Sequence, residues 1–312
     1  MFLIKLNFNI MKKMKHILFS ISVLSILFSC TKQIDFTADQ IQEKIVVNSL
    51  FTEDSLWNAH ISHSRSVLDN SPHNFLDNAT VSVFDESNNL VTTLDHVSDG
   101  FYQSSSATPI ANETYRLEVD APGYSSVSAS NAIPTQVPIV NVDTVSSFNS
   151  EGDPILLVSM NFTDPPGVSN YYMIEMQYIY DMSQWGWGED EERGRLEISC
   201  SDPNIETVNS FSFLGEDNAY NYLLLKDDQF DGQNYTLEFY VINWAEFKDE
   251  DLEGEIRLMN TSEEFYNYRK SYEIYENAIN NPFSQPVQVF SNIVGGMGVF
   301  AGGTLNVWPV IF

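Results

Sequence analysis

The chain has 312 residues, with 43 Asp and Glu against 15 Lys and Arg, for a formal net charge of −28. So acidic a chain repels nucleic acid and anionic lipid surfaces, which excludes both as partners. Two cysteines are too few for a disulfide scaffold, so the fold must rest on buried apolar surface, which this length permits.

In chain order, Met11-Lys12-Lys13-Met14-Lys15 is a basic segment ahead of an apolar run at 17–28, which ends in Leu27-Phe28-Ser29-Cys30. The run is a dozen residues, short of the about 20 that span a bilayer. It is expected to be a lipoprotein signal peptide, 1–30, with the Cys30 thiol taking diacylglycerol and cleavage leaving Cys30 as the first mature residue. Two or three acyl chains would then give stable membrane anchoring where one chain would be marginal. Met1, Met11 and Met14 are all candidate starts. Removing 1–29 takes away four lysines and no acids, so −28 becomes −32. Lipidation would leave Cys200 unpaired, and its neighbours in RLEIS suggest a buried thiol in a strand.

After a polar tether, 31–42, come short alternating segments: KIVVNSLF, WNAHISHSRSV, ATVSVFD, NNLVTTL, GFYQS, TYRLEVD and YSSVSAS. Turn pairs Asn88-Asn89, Asp99-Gly100 and Pro122-Gly123 separate several of them. About seven strands at this spacing predict an immunoglobulin-like or carboxypeptidase-regulatory-like β-sandwich over 43–134. A larger second β domain is expected over 135–312, with strands ILLVSMNF, YYMIEMQYIY, RLEIS, NYLLL and NYTLEFYVINW. Asp164-Pro165-Pro166-Gly167 reads as a turn, because two prolines remove ladder donors. One amphipathic helix is predicted at about 261–280, capped by Thr261 with Glu264. Its stripe of Phe265, Tyr268, Tyr272, Tyr275 and Ile279 is expected to pack on the sheet. In 281–303, Val287, Val289 and Ile293 read as a strand, and five glycines from Gly295 to Gly303 suit a kinked closing strand. No Lys or Arg lies in 271–312, which argues against a phosphate loop.

EKIVVNSLF, NATVSVFD, GFYQS, TYRLEVDAPGY, FTDPPGVSNYYMIE, DDQFDGQNYTLEFYV, TSEEFYNYRKSYE and NPFSQPVQVFSNIVGGMGVFAGG follow one another in an order that resembles domain of unknown function family 4249 of Bacteroidota lipoproteins. The resemblance covers nearly all of the mature chain except 185–218. It implies an outer-membrane lipoprotein, often encoded beside a TonB-dependent transporter and its surface partner, and it carries over no catalytic residues.

His60, His63 and His73 could be imagined as metal ligands, but His60 and His63, three apart on a strand, point to opposite faces. Asp227, Gln229, Asp231, Gly232 and Glu238 nearly match a calcium-binding EF-hand loop, yet a strand follows where a helix is required. No metal site and no cofactor is therefore expected, a lone surface calcium ion apart. Hydrolase motifs such as G-x-S-x-G and H-E-x-x-H are absent, although paired carboxylates would escape detection in an acidic chain. Runs such as Glu189-Asp190-Glu191-Glu192 read as solvated loops. The best contact candidates are Tyr180, Trp185 and Trp187, aromatics hard to bury beside glycines and acids. The expectation is a non-enzymatic surface lipoprotein, accessory to a TonB-dependent transporter and binding an unknown small ligand. The alternative is a stand-alone adhesive or structural protein.

Overall fold

All seven strands predicted for the first block form in the computed structural model, which describes residues 42–53, 55–66, 75–149, 152–181, 191–206, 220–242, 253–279, 284–285 and 287–311. They are β1 (Ile45–Thr52), β2 (Asn58–His63), β3 (Thr80–Asp85), β4 (Leu90–Ser98), β5 (Phe101–Gln103), β6 (Thr114–Asp120) and β7 (Val127–Ala132). Every second residue of β1 and β6 is buried, as alternation requires when one face is wet. β4 turns a corner. Leu90 to Leu94 pair with β3, while Asp95 to Ser98 pair with β5. Residues from both sides of that corner, including Val47, Ile61, Val81, Leu117 and Val127, share one core.

Beyond it lie β8 (Ile139–Phe148), β9 (Pro154–Thr163), β10 (Tyr171–Asp181), β11 (Glu191–Arg195), β12 (Ile198–Ser199), β13 (Leu223–Lys226), β14 (Asn234–Val241), β15 (Glu253–Thr261), helix α1 (Glu263–Ile279) and β16 (Met297–Ile311). The described residues are thus mainly β with one long helix. Two sheets result. Twelve strands run in the order β11-β10-β15-β16-β1-β2-β5-β4-β3-β6-β7, with β13 added on β10, and four form β12-β14-β9-β8.

Two apolar cores lie largely on either side of the expected boundary at 134/135, although Ile293 and Phe300 join the first, and Glu43–Phe312 forms one compact unit. The reason is β16. It lies between β15, to which it is antiparallel, and β1, to which it is parallel from Val46↔Met297 to Thr52↔Gly303. The first block is therefore continued through the C-terminal strand into the second. Phe300 enters the first core against Phe51 and Trp57, with ring centroids 4.5 and 6.3 Å away. Its neighbours Val299 and Ala301 point the other way, into a third cluster with Met173, Leu224, Met259, Phe265 and Tyr266. Val310 reaches the core of the small sheet.

Three local expectations are corrected. The stretch 287–293 forms no ladder; only Val294 bridges, to Ser128, and the strand starts at Met297. Helix α1 is capped by Ser262, whose Oγ accepts the Phe265 N–H at 3.4 Å, because Thr261 is the last residue of β15 and donates its hydroxyl to the Tyr171 carbonyl. The stripe packs only at its start: Phe265 is buried and Tyr268 half-buried, whereas Tyr275 and Ile279 are exposed.

Parallel pairing of β16 on β1 leaves no room at Gly298. Its φ is 98°, and an added Cβ would lie 2.0 Å from the Val47 carbonyl oxygen. Gly298→Ala should cost about 3 kcal/mol or more in urea unfolding. Gly123→Ala, at φ 89° but with open space, should cost only about 1 kcal/mol. Equal losses would show that backbone conformation, and not the close approach of β1, sets the need for glycine at 298.

Candidate functional site

The loop that follows β9 and the loop that precedes β14 meet through three aspartates. Asp164, Asp227 and Asp231 each offer a carboxylate oxygen, and the three oxygens lie within 4.8 Å of one another. Asp164 and Asp227 are buried, and Asp231 is exposed. Each carboxylate also reaches across to a backbone N–H of the opposite loop. Asp164 accepts from Gly232 at 2.8 Å, Asp231 from Gly167 at 2.7 Å and Asp227 from Asn170 at 2.7 Å. The Tyr172 hydroxyl donates to the second oxygen of Asp164. Asp164-Pro165-Pro166-Gly167 and Asp227 to Gly232 are thus laced into one rigid corner, a structural use of buried carboxylates that requires no ion. The same three residues are also the group best placed to hold a divalent cation among the described residues. Glu238, the last position of the EF-hand-like pattern, is exposed on β14 and does not join them.

Asp227 also accepts from the side-chain amide of Asn170, and Asn260 Nδ2 donates to Asn170 Oδ1 at 3.0 Å and to the Thr135 carbonyl at 2.9 Å. Asn170 is therefore fixed from both sides, and with it the chain on either side, Ser169 and Tyr171. Those two residues line a cleft of about 480 Å³ that is completed by Thr114, Ser130, Asn131, Ala132, Pro134 and the entry to α1, Thr261 to Glu264. Asn131 is nine-tenths buried and held at both ends: Nδ2 donates to Glu264 Oε2 at 2.6 Å, and Oδ1 accepts the Gly302 N–H at 2.9 Å. Burial pushes the Tyr171 hydroxyl above its usual range, and the Glu263 carboxylate adds to the rise. The lining holds five aliphatic hydroxyls and two carboxylates, with no Lys or Arg. Such a surface accepts hydrogen-bond donors and repels anions.

Behind the cleft, α1 is tied down by Glu206. Burial alone would raise its carboxyl, but hydrogen bonds from Lys270 and Tyr266 hold it below the usual range.

Other sequence candidates are dispersed. His60 Nε2 meets the Asp99 carbonyl and His63 Nδ1 meets Glu43, so the two do not converge; His73 lies outside the described residues. Cys200 is half-buried, its thiol donates to the Glu238 carbonyl at 3.2 Å, and burial pushes its pKa up to about 11, which leaves it unreactive. Cys30, Trp185 and Trp187 lie outside the described residues, as does the Tyr180 side chain, although the Tyr180 backbone pairs with Glu192. No pattern in the sequence singles out Asn131, Asn170 or Glu263, and Asp164 in Asp164-Pro165-Pro166-Gly167 looks like a turn residue alone.

The described residues define a mainly β fold in which β1 and β16 pair, with a polar cleft at the entry to α1. The chain belongs to the family described as Domain of unknown function (DUF4249), whose model matches residues 31–306. No curated protein matches it.

Burial holds the Asp164 carboxyl above its usual range, against the Tyr172 and Gly232 hydrogen bonds that pull it back, and the charges of Asp227 and Asp231 add to the rise. The folded chain binds that proton more tightly than the unfolded one, so Asp164 favours folding most at low pH. That contribution is lost as pH rises from about 4 through the raised folded value. Asp164→Asn removes the titration. Wild-type stability minus that of the variant, from denaturant melts between about pH 4 and pH 7, should therefore fall with rising pH; a flat or rising difference contradicts the assignment.

Proposed function

We propose that this chain is a non-enzymatic outer-membrane lipoprotein, held by acyl chains on Cys30, that takes a small polar ligand into the cleft beside α1 and serves as accessory partner of a TonB-dependent transporter. The lining of that cleft is the observation that carries the reading. Hydroxyls, an oriented amide and two carboxylates, with no cation among them, suit a neutral or cationic ligand rich in hydrogen-bond donors. Its carboxylates already have partners, Asn131 for Glu264 and Tyr171 for Glu263, which suits recognition better than proton transfer.

Anchorage is supported by the basic segment, the short apolar run and Leu27-Phe28-Ser29-Cys30, followed by a polar tether before the compact unit begins at Glu43. A transporter partner is supported by the family resemblance alone. An uncharged or cationic nutrient, held near a barrel entrance, is the cargo class that fits both.

The test is made on detergent-solubilised outer membranes of the native organism. Palmitate label should appear on the wild-type chain and vanish with Cys30→Ser, and the tagged wild type should bring down a barrel protein in stoichiometric amount. A lipidated but solitary monomer would contradict the transporter role and favour a stand-alone adhesive or structural protein. An unlabelled soluble chain would contradict the whole reading.

A further inference from the structure

β8 is the outer strand of the four-stranded sheet, and among the described residues its ladder is made with β9 alone. An open edge of this kind is normally blunted by lysine, proline, short length or a bulge. β8 has ten residues, contains neither Lys nor Pro, and departs from regular register only at its start, between Ile139 and Asn141. All of 143–146 is exposed.

Side chains add to the open backbone. Cross-strand register places Asp143, Ser159 and Glu238 in one row across β8, β9 and β14, and Val145, Leu157 and Tyr240 in the next row on the same face. Val145 is 60% and Leu157 40% exposed, whereas the alternate residues Leu156 and Val158 face the core. An apolar row beside an acidic row thus ends at a strand edge with no ladder partner among the described residues other than β9. None of these residues lines the cleft.

We propose that the β8 edge receives an extended segment of a partner protein by strand addition, and that this segment carries Lys or Arg two residues from a β-branched or aromatic residue, so that both fall on the face of Asp143 and Val145. Main-chain hydrogen bonds to the edge would supply affinity, and the side chains of β8 itself would supply selection, an apolar group beside Val145 and a cation beside Asp143. Charge decides between occupants. A second copy would bring the same Asp143 and a net charge of −28 to the edge, which opposes self-pairing, whereas a basic segment is drawn to it.

The probe is a ten-residue synthetic peptide in which Lys and Val or Tyr take turns at every second position, with Thr between them, so that both kinds share one face, and its counterpart with Glu in place of Lys, each titrated into the full chain. The basic peptide should bind and slow amide exchange within 140–148, and the acidic one should bind about ten-fold more weakly or not at all. Val145→Lys should weaken the basic peptide roughly five-fold, and Val145→Thr, which keeps the β-branch, much less. Ile110→Lys makes the same charge change at a residue 64% exposed in the first block and should leave binding unchanged. Equal weakening by both lysine variants would reduce the effect to general attraction and overturn the proposal. So would exchange protection outside β8, no binding of the basic peptide, or a concentration-dependent dimer that protects β8.

Discussion

The strand that makes Glu43–Phe312 a single compact unit is β16. Consecutive residues of an extended strand face opposite ways, so Val299, Phe300 and Ala301 serve two clusters within three residues. Ten residues later Val310 serves a third. Burying a side chain the size of Phe300 stabilises by about 1.5–3 kcal/mol, and its contacts with Phe51 and Trp57 place that gain inside the core of the N-terminal strands. Glycine is what lets the strand come so close. At Gly302 an added Cβ would lie 2.3 Å from the Ala132 carbonyl oxygen, and the Gly302 N–H is held by Asn131, the residue that also orients Glu264 in the cleft.

That arrangement links the fold to the site. The cleft is walled by β6 and β7 on one side and by the 169–171 loop and the start of α1 on the other, and β16 lies under both. The aspartate corner fixes the loop, Asn131 fixes Glu264, and Glu206 fixes α1. Few of the lining groups are free to move, which is the condition under which a small polar pocket selects among ligands. Because the first strand of the unit pairs with the last, the central ladder closes only when the whole chain is present, a high-contact-order fold that forms slowly.

Much of this was legible where strands alternate. Val81 and Val83, or Tyr115, Leu117 and Val119, announce one wet and one dry face, and their strands form as expected. β15 was not anticipated, since it is buried on both sides: Ile256 and Leu258 face one core and Met259 another, so no period of two survives. β8 was missed for the opposite reason, because most of it faces solvent and its apolar residues do not mark a core. Thr261 and Ser262 are both good cap residues, and only the end of β15 decides between them. Asp164 and Asp231 each look like turn residues in isolation. Their meeting depends on β9 pairing with β14, with Thr163 opposite Asn234, which no local pattern reveals.

Calorimetry of the complete chain tests the central claim most directly. If β16 joins the cores into one cooperative unit, heating gives a single transition whose calorimetric and van't Hoff enthalpies agree. Two resolved transitions, or a calorimetric enthalpy well above the van't Hoff value, would mean that the first block and the second melt separately and that the shared strand does not couple them.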